Sequence, residues 1–397
     1  MEHFVPVCRE GMMIACIVSR GPMPKNIVIC CDGTGNEFGD HNSNVVKLYS
    51  ALIIDGQRQI GYYHPGVGTM GAPTARNTIE KAWSVVIGLA FGAGLLANVG
   101  DAYRYLMNVY EDGDHVYLFG FSRGAYTVRA LAGVLHMFGL LCPGNDGLIP
   151  YIIRLFAKRT RGAAGMTHTF QVADGFKSTF CRHCPLHFVG VWDTVSSVGL
   201  VWDPLKLPYT AQNPDMINGR HAVSIDERRC YFVNNLWGDQ LPGQSIKQVW
   251  FSGVHSDVGG SYAAAESGLS QIALEWMLCE SVPLGLLVDP VRVDQVLARV
   301  PPPRVPPSPQ VRPDPAEKTH NSLTLAWWIL ELLPHSYYDR VEKKPKWRIP
   351  LGAWRVIPED SFLHETVKEK LNVDSDYKPP NLPKSQRIEP RNACQFR

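Results

Sequence analysis

The run Val116-Tyr-Leu-Phe-Gly-Phe-Ser-Arg-Gly-Ala-Tyr-Thr-Val-Arg129 limits what this chain can fold into more than any other stretch. A short apolar segment, Val116 to Phe119, drives into Gly120-Phe-Ser-Arg-Gly124, and residues 125–135 then have helical composition. This is G-x-S-x-G placed between a strand and a helix, the context in which the pattern carries a mechanism. Glycines on both sides let the chain turn so sharply that the Ser122 hydroxyl projects from the top of a sheet. The N-terminus of the following helix aims backbone N–H groups, that of Arg123 first, at the space where an oxyanion would form. Ser122 is therefore the candidate nucleophile.

The same alternation runs along the chain. Asn26-Ile-Val-Ile-Cys-Cys31 reads as a strand buried on both faces and ends in Asp32-Gly-Thr-Gly-Asn36. A helix over about 44–54 follows, capped by Ser43 or Asn42. Further strands are expected at 59–63, 186–191 and 246–251, and helices at about 98–110, 123–140 and 269–278. Strand–helix alternation gives a mostly parallel sheet with helices on both faces. Ligands of such sheets bind outside the strand C-terminal ends. Asp32, Ser122, Asp193 and His255 all sit where strands end, so they should share one edge. The expected architecture is an α/β-hydrolase-like domain over residues 25–290, with a cap insertion at about 141–185. Residues 1–24 read as an N-terminal extension, which leaves Met1 or Met23 as the start. Residues 301–315 hold eight prolines, so 291–397 reads as a semi-rigid strap and an irregular extension.

Composition narrows the class. A net charge of +2, with 45% apolar and 19% charged residues, fits a globular protein and gives no reason to expect nucleic acid. The ten cysteines form no repeating framework, and adjacent Cys30 and Cys31 must point to opposite faces of a strand. No disulfide network is expected, and reduced, cytoplasmic-type synthesis fits better. Met12 to Val18 is apolar but lacks the basic start and cleavage site of a secretory signal. Ala82 to Val99 carries no charge over 18 residues, yet its glycines and the charged helix that follows favour a buried or substrate-facing helix over a span. Cys181-Arg-His-Cys184, with His187 nearby, looks like half a zinc site but has no second pair at comparable spacing. Packing cysteines are expected there.

Acyl transfer to a serine needs a base for the hydroxyl proton and an acid to hold that base in the right tautomer. The order Ser122, Asp193, His255 is that of α/β-hydrolases, each residue lying just past its own strand. His364, near a helix start, is the alternative base. Asp257 is either a secondary site residue or a turn residue preparing Gly259-Gly260. The Asp32-Gly33-Thr34-Gly35 loop can complete the oxyanion hole with the Arg123 amide, or can be a tight glycine turn. No Gly-Lys-Ser/Thr follows it, so phosphate cradling in the P-loop sense is not expected.

Four phrases taken together carry a resemblance: Cys31-Asp-Gly-Thr-Gly-Asn36, Phe119-Gly-Phe-Ser-Arg-Gly-Ala-Tyr126, Val191-Trp-Asp-Thr194 and Gly253-Val-His-Ser-Asp-Val-Gly-Gly260. Over residues 25–280 the chain resembles the uncharacterised α/β-hydrolase domain family that supplies the catalytic domain of one class of type VI secretion phospholipase effectors. That resemblance implies a phospholipase with Ser122 as nucleophile and Asp193 as triad acid. The histidine is placed on His255 by the strand argument. The expected activity is cleavage of carboxylic esters, those of phospholipids first, with no cofactor and no metal. A lipid or ester substrate and a transient membrane-surface contact are the expected partners. Export by a signal-peptide-independent secretion system is the alternative to a cytoplasmic location. A small-molecule esterase or acyltransferase would use the same site. A non-catalytic scaffold binding through the proline-rich part would not need all three triad residues.

Overall fold

The computed structural model describes residues 5–9, 12–16, 23–33, 39, 41–66, 80–158, 163–195, 199–200, 203–204, 207–300, 311–339, 344–392, 394 and 396, with backbone alone at 5–16, 80–93, 163–167, 199–204, 326, 335–339 and 344–345. Eight strands form the central sheet. They are β1 (Asn26–Cys31), β2 (Gln59–His64), β3 (His115–Phe121), β4 (Leu186–Trp192), β5 (Met216–Ser224), β6 (Ser245–Phe251), β7 (Ser361–His364) and β8 (Gln386–Glu389). Their spatial order is β8-β7-β6-β5-β4-β3-β1-β2 and every pairing is parallel. The order reverses between β1 and β3, which puts the ligand crevice of such a sheet beside the end of β3.

Helices cover both faces. On one side lie α2 (Glu80–Val109), α3 (Arg123–Phe138), α4 (Ile149–Ala157) and α5 (Ala163–Phe180). Tyr103, Val128, Phe156 and Phe176 from these helices close over Ile27, Ile29 and Cys31. On the other side α1 (Asn44–Ala51), α7 (Gly268–Ser281) and α8 (Pro290–Val296) bring Leu48, Met277 and Val293 onto Val28 and Cys30. Cys30 and Cys31 thus point to opposite faces, as a strand requires. Ser43 caps α1, its hydroxyl accepting from the Val46 amide.

The structure extends the sequence reading in three places. The expected helix at 98–110 begins at Glu80, so the charge-free stretch 82–99 lies on α2, its first residues among those described by backbone alone. Among the described residues, no helix is long and apolar enough to cross a membrane. The insertion at 141–185 consists of α4 and α5, which share a core with α2 and α3. The C-terminal extension contributes β7, β8 and α10 (Glu365–Val373), and Ile357, Leu363 and Val367 pack on Val223, Ile225 and Trp250. A disulfide, Cys279–Cys394, ties the chain end to α7. The sequence reading anticipated no such bond, because Cys394 has no patterned neighbour.

Candidate active site

Ser122 follows β3 and opens α3 with φ 58° and ψ −120°, a left-handed setting that a serine adopts only when its surroundings impose it. The flanking glycines supply the room. A methyl group on Gly124 would stand 2.1 Å from the Cys31 carbonyl oxygen and 2.4 Å from that of Asp32; one on Gly120 would stand 2.6 Å from the Gly124 carbonyl oxygen. Only glycine at both places lets the turn close this tightly on β1. The Ser122 amide donates to the Trp192 carbonyl, so the turn is anchored to β4.

The residue after β4 is Asp193, also at positive φ, 37°. Its amide donates to Ala222 O at 2.7 Å, and its Oδ1 accepts from the amide and hydroxyl of Ser224 at 2.9 and 3.1 Å. The turn after β6 starts the short helix α6 (His255–Gly259). His255 Nδ1 lies 2.5 Å from Asp193 Oδ2, and its Nε2 lies 2.8 Å from Ser122 Oγ. The carboxylate selects the tautomer with the proton on Nδ1, so the Ser122 hydroxyl donates to Nε2. Phe121 and Phe232 wall the imidazole at centroid distances of 4.7 and 4.8 Å. Ser122 itself is 6% exposed.

Electrostatics divide the two titrating groups. Burial alone pushes Asp193 up, but the Arg355 charge and the His255 hydrogen bond outweigh it and hold the carboxyl below the usual carboxylate range. Burial, the largest influence on His255, lowers its pKa against the raising pull of Asp193 and Glu227. The imidazole is therefore neutral at pH 7, the form a general base needs. The arrangement can pass a proton from a hydroxyl to an imidazole beside the positive end of α3.

The other residues singled out in the sequence fall in different places. Asp32 is buried and holds the β1 loop: its Oδ2 accepts from Ser43 Oγ at 2.6 Å and Tyr63 OH at 2.9 Å. The Gly33 amide donates to Asp32 Oδ1 at 2.6 Å, so in this structure it points at its own neighbour's carboxylate. Thr34 and Gly35 lie outside the described residues. Arg123 is the first residue of α3, and burial lowers its guanidinium to about 10. Asp257 accepts from the Val254 amide at 2.9 Å and from His320 Nδ1 at 2.6 Å, which makes it part of the α6 turn. His364 ends strand β7, where the sequence reading saw only a helix start. It bonds Thr366 Oγ1 at 2.8 Å and stacks on Phe251, and burial lowers its pKa to about 3. Among the described residues no group of three His, Cys, Asp or Glu is placed to hold a metal ion.

Three residues around the triad carry no sequence signal. Arg355 donates from Nη1 to Asp193 Oδ1 at 2.6 Å and from Nη2 to Oδ2 at 3.1 Å, and also holds the Phe232 carbonyl at 2.6 Å. Ser224 closes a strand that the sequence reading did not identify. Buried Glu227 accepts from the His255 amide at 3.2 Å and is clasped by Arg229 at 2.9 and 2.8 Å. An arginine 162 residues beyond its aspartate could be found only from the fold.

Residues 25–280 match the family model of the type VI secretion Tle1-like phospholipase effector catalytic domain. The uncharacterized protein YEL023C of Saccharomyces cerevisiae is 36% identical over 225 residues, which cover 54% of this chain and 33% of the yeast protein. An uncharacterized protein from Pseudomonas aeruginosa aligns with TM-score 0.42 and 20% identity, over 69% of this chain and 48% of its own. A Tle1 effector, solved bound to the VgrG spike of the type 6 secretion system, aligns with TM-score 0.36 and 15% identity, over 68% of this chain and 58% of its own. The matched part is less than two thirds of each of these relatives. With the family match running over residues 25–280 of 397, the chain belongs to the Tle1-like family of phospholipase effector catalytic domains.

Proposed function

We propose that this protein is a serine hydrolase that cleaves carboxylic esters of phospholipids. The observation that carries the reading is the unbroken relay from Ser122 Oγ to His255 Nε2 at 2.8 Å and from His255 Nδ1 to Asp193 at 2.5 Å. Ser122 Oγ attacks the ester carbonyl while His255 Nε2 takes its proton. The C–O bond breaks, the imidazolium returns that proton to the leaving alcohol, and an acyl-serine remains. Water, deprotonated by the same nitrogen, then releases the fatty acid and restores the hydroxyl. Asp193 keeps the ring in the required tautomer throughout. The Arg123 amide and the 33–35 loop are the proposed oxyanion donors, the loop after a movement that frees the Gly33 amide from Asp32. Membership of the phospholipase effector family supports the lipid substrate. It also supports delivery by a signal-peptide-independent route, although a yeast relative extends the domain beyond bacteria, so the substrate chemistry is the firmer inheritance.

The test is labelling with a fluorophosphonate probe, which phosphonylates an activated serine with loss of fluoride. We expect labelling of the native chain and none of Ser122→Ala, and fatty acid release from a phospholipid panel. An unlabelled native chain that also leaves every phospholipid intact overturns the reading.

A further inference from the structure

Helix α9 (Leu325–Glu331) is built inside out. Leu325, Trp328, Ile329, Leu332 and Leu333 fall at i, i+3, i+4, i+7 and i+8, the spacing of a face that ordinarily meets a core. All five face solvent, Leu325 at 83% and Ile329 at 54% exposure. The opposite face turns inward and is partly polar. Trp327 packs edge-on against Phe232 at 5.6 Å, and the buried Glu331 carboxylate accepts from the amides of Cys230 and Gly352 at 2.7 and 3.0 Å. An antiparallel hairpin, His335–Asp339 with Lys344–Arg348, follows, and Trp347 beside it is 61% exposed. The sequence from Asp339 to Arg348 holds five Lys or Arg and two acidic residues.

Both ends of this excursion are fastened to the candidate site. Before α9, the Ser322 hydroxyl donates to Glu227 Oε1 at 3.0 Å, and Glu227 accepts from the His255 amide. After the hairpin, Arg355 grips Asp193. Trp327 touches Phe232, which touches the His255 ring. Water-facing leucines and tryptophans beside a basic segment are the composition of an element that lies in a bilayer interface. A second copy of the chain fits less well, because a two-fold contact would set one basic segment against its twin.

We propose that α9 and the hairpin after it form a docking surface for an anionic phospholipid bilayer, with the apolar stripe among acyl chains and the basic segment at the head groups. In its consequence for catalysis the inference rests on the proposed hydrolase reading: docking sets a nearly closed Ser122 against the phase that holds its substrate.

The experiment uses the full chain carrying Ser122→Ala, so that lipid is not consumed, sedimented with phosphatidylcholine vesicles with and without phosphatidylglycerol. We expect binding that rises with phosphatidylglycerol. Leu325→Glu with Ile329→Glu should weaken it by about tenfold or more with the melting curve unchanged, since both side chains are exposed. In the active chain, the ratio of vesicle-lipid to monomeric soluble-ester hydrolysis should fall by a similar factor. Equal vesicle partition with and without the double substitution overturns the proposal. So does no vesicle binding, or a dimer in solution that the double substitution splits. Vesicle binding that behaves as expected while neither lipid nor ester is cleaved leaves docking standing and removes the hydrolase reading.

Discussion

Arg355 sets the basicity of His255 through the carboxylate they share, and its removal has a calculable effect. The Nη2–Oδ2 and Oδ2–Nδ1 contacts are 3.1 and 2.5 Å and meet at one oxygen, so guanidinium and imidazole nitrogens stand no more than about 5.6 Å apart. Two unit charges at that distance repel by about 3 kcal/mol at an effective dielectric of ~20, roughly two pKa units. Solvent response reduces this, so Arg355→Ala should raise the His255 pKa by about one to two units. The base works as the neutral ring. The acid limb of kcat/KM, placed below 6.5 in the native chain by burial of His255, should therefore move upward by that amount. The measurement is kcat/KM for a soluble ester between pH 4 and 8, with the Nδ1 proton resonance of His255 followed by NMR as a readout independent of substrate. The substitution also breaks a buried ion pair. Asp193 keeps His255 and both Ser224 donors, so the loss should lie near 3 kcal/mol, the low end for such pairs, and lower Tm by about 4 °C in a chain of this length. Arg355→Lys should restore the pKa in part but not the two-point grip. A folded Arg355→Ala chain with an unmoved or lowered acid limb refutes the electrostatic argument.

Two further outcomes follow from the surroundings of the triad. His255→Ala should cut fluorophosphonate labelling by roughly a thousandfold or more, whereas His364→Ala, which removes a ring stacked on Phe251, should cost about 1–3 kcal/mol in chemical unfolding and leave labelling in place. Asp226 is buried, accepts from the Gly253 amide and Tyr377, and is raised by burial from 3.8 to about 6. Its folded form holds the proton more tightly, so its contribution is complete below pH 3.8 and fades as pH rises through 6. The stability difference between the native chain and Asp226→Asn should thus shift by roughly 2–3 kcal/mol between pH 4 and pH 7, read from denaturant midpoints, and a pH-independent difference counts against it.

The elements that position the site were legible wherever one physical requirement dominated the local sequence. Strands β1, β3, β4 and β6 are buried on both faces, and their apolar runs end at Asp32, Ser122, Asp193 and the turn before His255. Strand β5 was hidden because its interior carries polar side chains that tertiary partners satisfy. Asn218 donates to the His187 carbonyl, Arg220 pairs with Glu280, and His221 Nε2 accepts from the Thr194 amide. None of those partners is local, so period and composition alone gave a loop. Strands β7 and β8 are four residues each and too short to show a period. Arg355, Ser224 and Glu227 act by proximity across the sheet, which a one-dimensional pattern does not encode.

The proline-rich boundary near residue 300 suggests that a catalytic unit could be cut free at 290, and the structure argues that it could not. Strand β6 pairs with β7 along its outer side, so truncation exposes an unpaired parallel edge. It also uncovers Val223, Ile225 and Trp250, which Ile357, Leu363 and Val367 bury, and takes Arg355 from Asp193. Burying a tryptophan and two aliphatic side chains is worth several kcal/mol at about 25 cal/mol per Å². Adding about 3 kcal/mol for the ion pair brings the loss into the range of a whole domain's stability. A fragment of residues 25–290 should therefore accumulate as aggregate, while the chain through residue 397 unfolds in a single transition that includes the extension. A soluble 25–290 fragment with cooperative unfolding and native fluorophosphonate labelling would show that the extension is an appendage, and that Asp193 needs nothing from it.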